Sequence, residues 1–262
     1  RDRSMNYQRF IALGDSMTEG MTDEVINGKF RGWADRVADV LAKDNPDFSY
    51  VNLAVRGKLI GQVAREQVPA ALNLIEGKST LVSFHAGAND VIRPNYDPEK
   101  VIAEYTATAK KIATGGGTLM LFCVLENTGE ATRSAKIWQK RFEIFNANTR
   151  KVATELGAIL LDPNQDAFWR DRRFISDDRL HMNAEGHYRA AQGVLFSLGK
   201  IVDENWRKPL PPVKTDLLAI RIFKNFKWFI TFGIPWMSRR IRGRSSGDGR
   251  SPKYPTPTKW PI

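Results

Sequence analysis

The chain has 262 residues, with 40 Lys and Arg against 29 Asp and Glu, for a formal net charge of +11. Its 42% hydrophobic and 26% charged content is ordinary for a globular protein and excludes a wholly disordered, collagen-like or coiled-coil chain. A single cysteine, Cys123, excludes an intramolecular disulfide framework and a cysteine-based zinc site, and it suits a reducing compartment.

In chain order, apolar residues 10–13 run into Gly14-Asp15-Ser16 and predict a first strand. Trp33, Val37, Val40 and Leu41 recur at helical spacing, and Asn45-Pro46 ends that helix. Residues 50–55 predict a second strand, and 60–75 a second helix that Pro69 should kink or split. A third strand is expected over 80–84 and a helix over 98–114, stopped by Gly115-Gly116-Gly117. Residues 118–125 read as a fourth, fully apolar strand. Trp138, Phe142, Phe145, Thr149, Val152 and Leu156 mark one face of a long helix closed by Gly157. A fifth strand over 158–161 and a helix over 184–198 follow. Five strands of buried type separated by helices predict an α/β, three-layer sandwich with a five-stranded parallel sheet. Right-handed crossovers leave few topologies, and the flavodoxin-like order 2-1-3-4-5 is the one expected.

Open parallel sheets bind ligands beyond the carboxyl ends of their strands, where the strand order reverses. For this order the switch lies between strands 1 and 3. Strand 1 ends in Gly14-Asp15-Ser16-Met17-Thr18-Glu19-Gly20, strand 2 leads to Arg56-Gly57, and strand 3 ends in Gly87-Ala88-Asn89-Asp90. Beyond strand 5 comes Asp178-Arg179-Leu180-His181. A serine hydroxyl is a poor nucleophile until a base removes its proton, and histidine suits that task at neutral pH. Asp178, three residues before His181, can turn back to accept the other imidazole N–H. Each piece also has a plainer reading. Ser16 can cap a helix, Asn89-Asp90 can be turn residues, and Asp178 and His181 can be a solvated loop pair.

Together, these four blocks resemble those of the SGNH (GDSL) hydrolase family over roughly residues 9–199. The resemblance implies a serine esterase with Ser16, Asp178 and His181 as catalytic residues. It assigns an oxyanion hole to the backbone N–H groups of Ser16 and Gly57 and the side-chain amide of Asn89. Thr18 stands where a Gly-x-Ser-x-Gly elbow would carry its second glycine, which argues against the α/β-hydrolase fold. Met182 replaces the proline that often follows the histidine in relatives, which should loosen the hold on His181. His85 should border the pocket, Asp15 and Asp90 should brace their loops, and the 126–133 loop should form a pocket wall. His187 reads as structural. Neither a metal nor a cofactor is expected, because the spacing of His181 and His187 does not put both rings on one helix face for a site shared with Asp177. The expected substrate is a small-molecule, glycan or lipid ester. An acyltransferase using the same site is the alternative within this chemistry. A non-enzymatic membrane- or nucleic-acid-binding protein acting through a basic tail is the alternative outside it.

Charge divides the chain. Residues 1–205 hold equal numbers of acidic and basic groups, so the whole excess of +11 falls in residues 206–262, which carry thirteen basic and two acidic residues. Residues 1–208 therefore read as the hydrolase domain and 209–262 as a basic extension entered through Pro209-Leu210-Pro211-Pro212. Residues 215–232 predict a basic amphipathic helix with Leu218, Ile222, Phe223, Phe226, Phe229 and Ile230 in one arc. Arg221, Lys224, Asn225 and Lys227 lie on the other side, and Arg239-Arg240-Ile241-Arg242-Gly243-Arg244 follows. The apolar arc either packs back on the domain or lies on an anionic membrane through residues 215–244. Nucleic acid is a weaker third partner, since no recognition fold accompanies the charge. Pro-rich residues 251–261 read as extended or disordered. No apolar h-region precedes the first strand and no apolar run reaches membrane-spanning length. Met5 is a candidate native start, and the location expected is the cytoplasm, either free or peripheral at the inner membrane face.

Overall fold

The computed structural model describes residues 5–127, 133–213 and 217–261, and of residues 133, 134, 218, 221, 240 and 241 the backbone only. Strand β1 (Arg9–Gly14) leads into the one-turn helix α1 (Ser16–Glu19), a small hairpin of β2 (Val25–Ile26) and β3 (Lys29–Phe30), and helix α2 (Gly32–Leu41). Strand β4 (Ser49–Asn52) is followed by α3 (Ile60–Glu66) and α4 (Val68–Leu72), the helix being split just ahead of Pro69, which sits in the first turn of α4. Next come β5 (Thr80–His85), α5 (Ala88–Val91), α6 (Pro98–Ala113), β6 (Thr118–Phe122), α7 (Arg133–Leu156), β7 (Ile159–Leu161) and α8 (Ala184–Ser197). The C-terminal part forms α9 (Leu218–Trp228), a π-helical turn (Phe229–Gly233), α10 (Ile234–Ile241) and β8 (Tyr254–Lys259).

The main sheet runs β7-β6-β5-β1-β4-β8. Its first five strands are parallel and, counted along the chain, stand in the expected order 2-1-3-4-5. Period-two alternation in β1 explains the layers. Phe10 and Ala12 face α2 and α8, packing with Trp33, Val37, Ala191 and Val194. Ile11 and Leu13 face the opposite layer with Ile60, Val63, Tyr105 and Phe145, from α3, α6 and α7.

The sheet has six strands rather than five. Residues 254–259, within the segment read as extended or disordered tail, pair antiparallel with β4, Tyr254 opposite Asn52 and Thr258 opposite Tyr50. Proline is tolerated there because an edge strand needs donors on one side only, and Pro255 and Pro257 alternate with residues that keep their N–H. Tyr254 and Trp260 then pack around Tyr50, with ring centroids 5.5 and 4.9 Å from it. Lys253 enters the core beneath them and pairs with Asp35 at 2.7 Å.

Candidate active site

The site is built on the ends of β1, β4 and β5. Gly14 has φ +149°, and a Cβ there would lie 2.1 Å from the His85 carbonyl oxygen, so only glycine lets β1 end so close to β5. Gln67 clamps the same residue through both of its flanking peptides. Its amide accepts from Gly14 N–H and donates to Gly14 C=O, both at 2.9 Å. Asp15 caps α1 by accepting from Met17 N–H at 3.2 Å, which leaves Ser16 half-buried at the head of that turn.

The fourth block arrives from the loop before α8. His181 Nε2 lies 2.9 Å from Ser16 Oγ, and His181 Nδ1 lies 2.6 Å from Asp178 Oδ2. The other Asp178 oxygen accepts from Ser176 Oγ at 2.7 Å, Leu180 N–H at 2.9 Å and His181 N–H at 3.0 Å. Burial alone would raise the Asp178 pKa, but the His181 ring, these donors and the imidazole charge outweigh it. They hold the carboxyl well below the usual carboxylate range. An ionised Asp178 selects the tautomer with hydrogen on Nδ1. Nε2 is then the acceptor, and the Ser16 hydroxyl donates to it.

The loop is not loosened by Met182. Residues Ile175 and Met182 form a β-bridge, Ser176 N–H donates to His181 C=O at 2.8 Å, and Thr22 Oγ1 donates to Met182 C=O at 2.7 Å. Backbone pairing does there what a proline would do through its ring. His187 is fully buried, with Nδ1 accepting from Trp33 N–H at 3.3 Å and Nε2 donating to Met21 C=O at 2.9 Å. Both its ring nitrogens are used by backbone. His85 is buried against Phe122, and burial lowers its pKa.

Gly57 lies at φ +75° in the loop after β4. Asn89 opens the turn after β5, and its Nδ2 donates to Asp15 Oδ2 at 3.1 Å and to Lys58 C=O at 3.2 Å. Both hydrogens of that amide therefore point into protein here, and an oxyanion would draw one of them away. Two supports were not singled out from sequence. Glu19 accepts from Arg56 N–H at 2.6 Å and pairs with its guanidinium, tying the Gly57 loop to α1. Asn52 donates to Thr18 C=O at 2.9 Å and accepts from Ala54 N–H at 3.1 Å. Their signal was position alone, inside the first and second blocks. Of the expected pocket wall, Glu126 bonds Asn146 and Arg150, at 2.9 and 3.0 Å, while residues 128–132 lie outside the described residues. A cavity of about 220 Å³ is lined by residues that include Leu59, Asp90, Arg93 and Tyr96, and none of Ser16, Asp178 and His181 lines it.

Asp90 accepts from Ile60 N–H at 3.2 Å and so braces the start of α3. Burial pushes its pKa up to about 7, helped by the nearby Asp15 charge and only partly offset by that hydrogen bond. A carboxyl whose folded pKa is raised favours the protonated state, so stability falls as pH climbs from about 4 through about 7. Asp90→Asn should remove that loss, stabilising the protein by up to about 4 kcal/mol near pH 8 and by nothing near pH 4. Thermal melts of both proteins across this range check it, and parallel curves would refute it.

A doubly wound sheet with serine, imidazole and carboxylate in hydrogen-bonded sequence at its switch point is an arrangement that serine hydrolases use. Residues 12–189 match the model of the GDSL-like lipase/acylhydrolase family, and the chain belongs to that family. Solved structures agree on the fold. LAE5, an α/β hydrolase enzyme from the metagenome of Lake Arreo, matches with a TM-score of 0.61 at 20% identity, over 73% of this chain and 95% of that one. The psychrotrophic esterase EstA from Pseudoalteromonas sp. gives 0.56 at 18% identity, over 73% and 97%. A catalytic mutant of Axe2, an acetylxylan esterase from Geobacillus stearothermophilus, gives 0.61 at 15% identity, over 75% and 97%. No curated protein sequence matches the chain. Among the described residues, no helix is long and apolar enough to cross a membrane.

Proposed function

We propose that the protein hydrolyses carboxylic esters at Ser16 through an acyl-enzyme. The observation that carries this is the unbroken sequence Ser16 Oγ, His181 Nε2, His181 Nδ1, Asp178 Oδ2, at 2.9 and 2.6 Å. His181 takes the Ser16 proton as Oγ bonds to the ester carbonyl carbon, and Asp178 stabilises the imidazolium. The tetrahedral oxyanion is met by the N–H groups of Ser16 and Gly57 and by Asn89, whose amide swings from the Lys58 carbonyl. When the C–O bond to the alcohol breaks, His181 returns the proton to the leaving oxygen. Water then repeats the sequence on the acyl-Ser16 ester, releasing the acid and restoring the hydroxyl. No step calls on a metal or an organic cofactor.

The same reading assigns catalysis to residues 1–208 and leaves 209–262 as an extension that closes back on the sheet through β8. The lone cysteine, buried and free, fits a reducing, cytoplasmic setting.

Hydrolysis of p-nitrophenyl acetate, combined with labelling by diethyl p-nitrophenyl phosphate, tests the proposal. One equivalent of p-nitrophenolate should be released from the label, and mass spectrometry should place the phosphoryl adduct on Ser16. No hydrolysis, or an adduct on another residue, rejects it. Asn89→Ala should lower kcat about 10²–10³-fold, the loss expected for one oxyanion donor, and should lower the melting temperature by a few degrees because Asp15 Oδ2 and the Lys58 carbonyl each lose a donor.

A further inference from the structure

Helix α9 has two unlike faces, and the structure decides between the two sequence readings of its apolar arc. The face turned to the protein is the polar-aromatic one. Arg179 Nη2 donates to Asn225 Oδ1 at 2.8 Å, the Arg179 guanidinium lies 4.9 Å from the Trp228 ring centroid, and Trp228 Nε1 donates to Asp178 C=O at 3.1 Å. The apolar arc points outward instead. Ile222, Phe223 and Phe226 are 60%, 66% and 63% exposed. Ile230, Ile234 and Met237 extend that surface through the π-helical turn into α10.

The same segment reaches the other wall of the crevice. A Cβ on Gly57 would lie 2.0 Å from Ser245 Oγ, and one on Gly247 would lie 1.9 Å from the Arg56 carbonyl oxygen. The extension thus touches the catalytic loop at Asp178 and the candidate oxyanion loop at Gly57. Both its ends are fixed. Arg189 Nη1 donates to Trp206 C=O at 2.9 Å and to Lys208 C=O at 2.6 Å, and β8 pairs with β4.

We propose that this strap seats the enzyme on an anionic lipid surface, and that the ester cleaved at Ser16 is carried by a lipid of that surface. The inference rests on the catalytic reading above. Charge selects the partner. Exposed Lys227, Arg239, Arg242 and Arg244 accompany the apolar face, within a segment of thirteen basic and two acidic residues. A second copy of the chain would set two such cationic faces against each other, whereas an anionic bilayer offers the opposite charge and an apolar interior. Geometry selects the substrate. An amphipathic helix sinks its apolar face about 5–10 Å into the headgroup boundary. A helix is about 10–12 Å across. The Asp178 loop, held against the opposite face of α9, therefore sits at headgroup height, where the ester bonds of lipids lie.

The test uses the full chain and vesicles made of equal parts phosphatidylcholine and phosphatidylglycerol, or of phosphatidylcholine alone, with p-nitrophenyl dodecanoate dissolved in the bilayer. The protein should sediment with the anionic vesicles, less so as salt rises, and not with the neutral ones. The doubly substituted Phe223→Asp, Phe226→Asp protein should partition about 100-fold more weakly and lose the dodecanoate activity by a similar factor. Both proteins should hydrolyse soluble p-nitrophenyl acetate equally, which shows that the variant is folded. Four results overturn the inference: absence of sedimentation, sedimentation unchanged in the variant, a wild-type dimer that the variant abolishes without vesicle binding, and retention by duplex DNA in place of anionic vesicles. Vesicle binding without hydrolysis of either ester upholds the docking and rejects the catalytic reading instead.

Discussion

Ser16→Ala should lower kcat for p-nitrophenyl acetate about 10⁶-fold, and adding His181→Ala to it should cost almost nothing more. Ser16 Oγ and His181 Nε2 share one hydrogen bond of 2.9 Å, so the base has nothing to activate once the hydroxyl is gone. Residues that act as a unit are not additive, and the shortfall from additivity is the signature to measure. Asp178→Asn should cost about 10⁴-fold. Its loss has a separate origin. Asp178 accepts from four groups, including Nδ1 at 2.6 Å, and an amide there offers N–H where the ring needs an acceptor, favouring the tautomer with hydrogen on Nε2. The variant should keep its fold, because Ser176 Oγ and the two backbone donors can still bond the amide oxygen. Steady-state kinetics on the three single variants and the Ser16/His181 double variant check this. Fully multiplicative losses, or activity surviving Ser16→Ala, would refute the assignment.

Much of this site was legible because its signals are local. Gly14-Asp15-Ser16 at the end of an apolar run, Gly87-Ala88-Asn89-Asp90 at the end of another, and Asp178 three residues before His181 each declare themselves within a few positions. Strand order followed from βαβ handedness once the five runs were recognised. What escaped was pairing across long separations. Tyr254-Pro255-Thr256-Pro257-Thr258-Lys259 carries no strand signal of its own, since its prolines suppress one. It becomes a strand only because Tyr50 offers its ring to Tyr254 and Trp260 across the open edge of β4. The helical wheel of α9 likewise gave two faces without saying which one the domain receives. That is decided by Arg179, whose side chain bonds Asn225 and stacks on Trp228.

The buried pair between Lys253 and Asp35 is the second point of large leverage, and it acts on stability rather than chemistry. Lys253 Nζ lies 2.7 Å from Asp35 Oδ1 and donates to the carbonyls of Phe30 at 2.8 Å and Arg31 at 2.9 Å, so all three of its hydrogens are used. Asp35 also accepts from Tyr50 Oη–H at 2.8 Å. Burial pushes the Asp35 pKa up to about 6 even though the Lys253 charge pulls it down. Removing that charge alone strands a carboxylate in the core, so Lys253→Met should destabilise the protein by about 3–5 kcal/mol. The direction with pH follows. Without Lys253 the Asp35 pKa rises further, the protonated state becomes the comfortable one, and stability falls as pH rises from about 4 upward. The deficit against wild type should therefore be small near pH 4 and large near pH 8. Asp35→Asn added to Lys253→Met should recover most of it at high pH, because a neutral amide still accepts from Tyr50 and leaves no buried charge. Urea unfolding of the three proteins at both pH values measures this directly. A Lys253→Met deficit that ignores pH would mean that packing around β8, not the ion pair, holds that edge of the sheet.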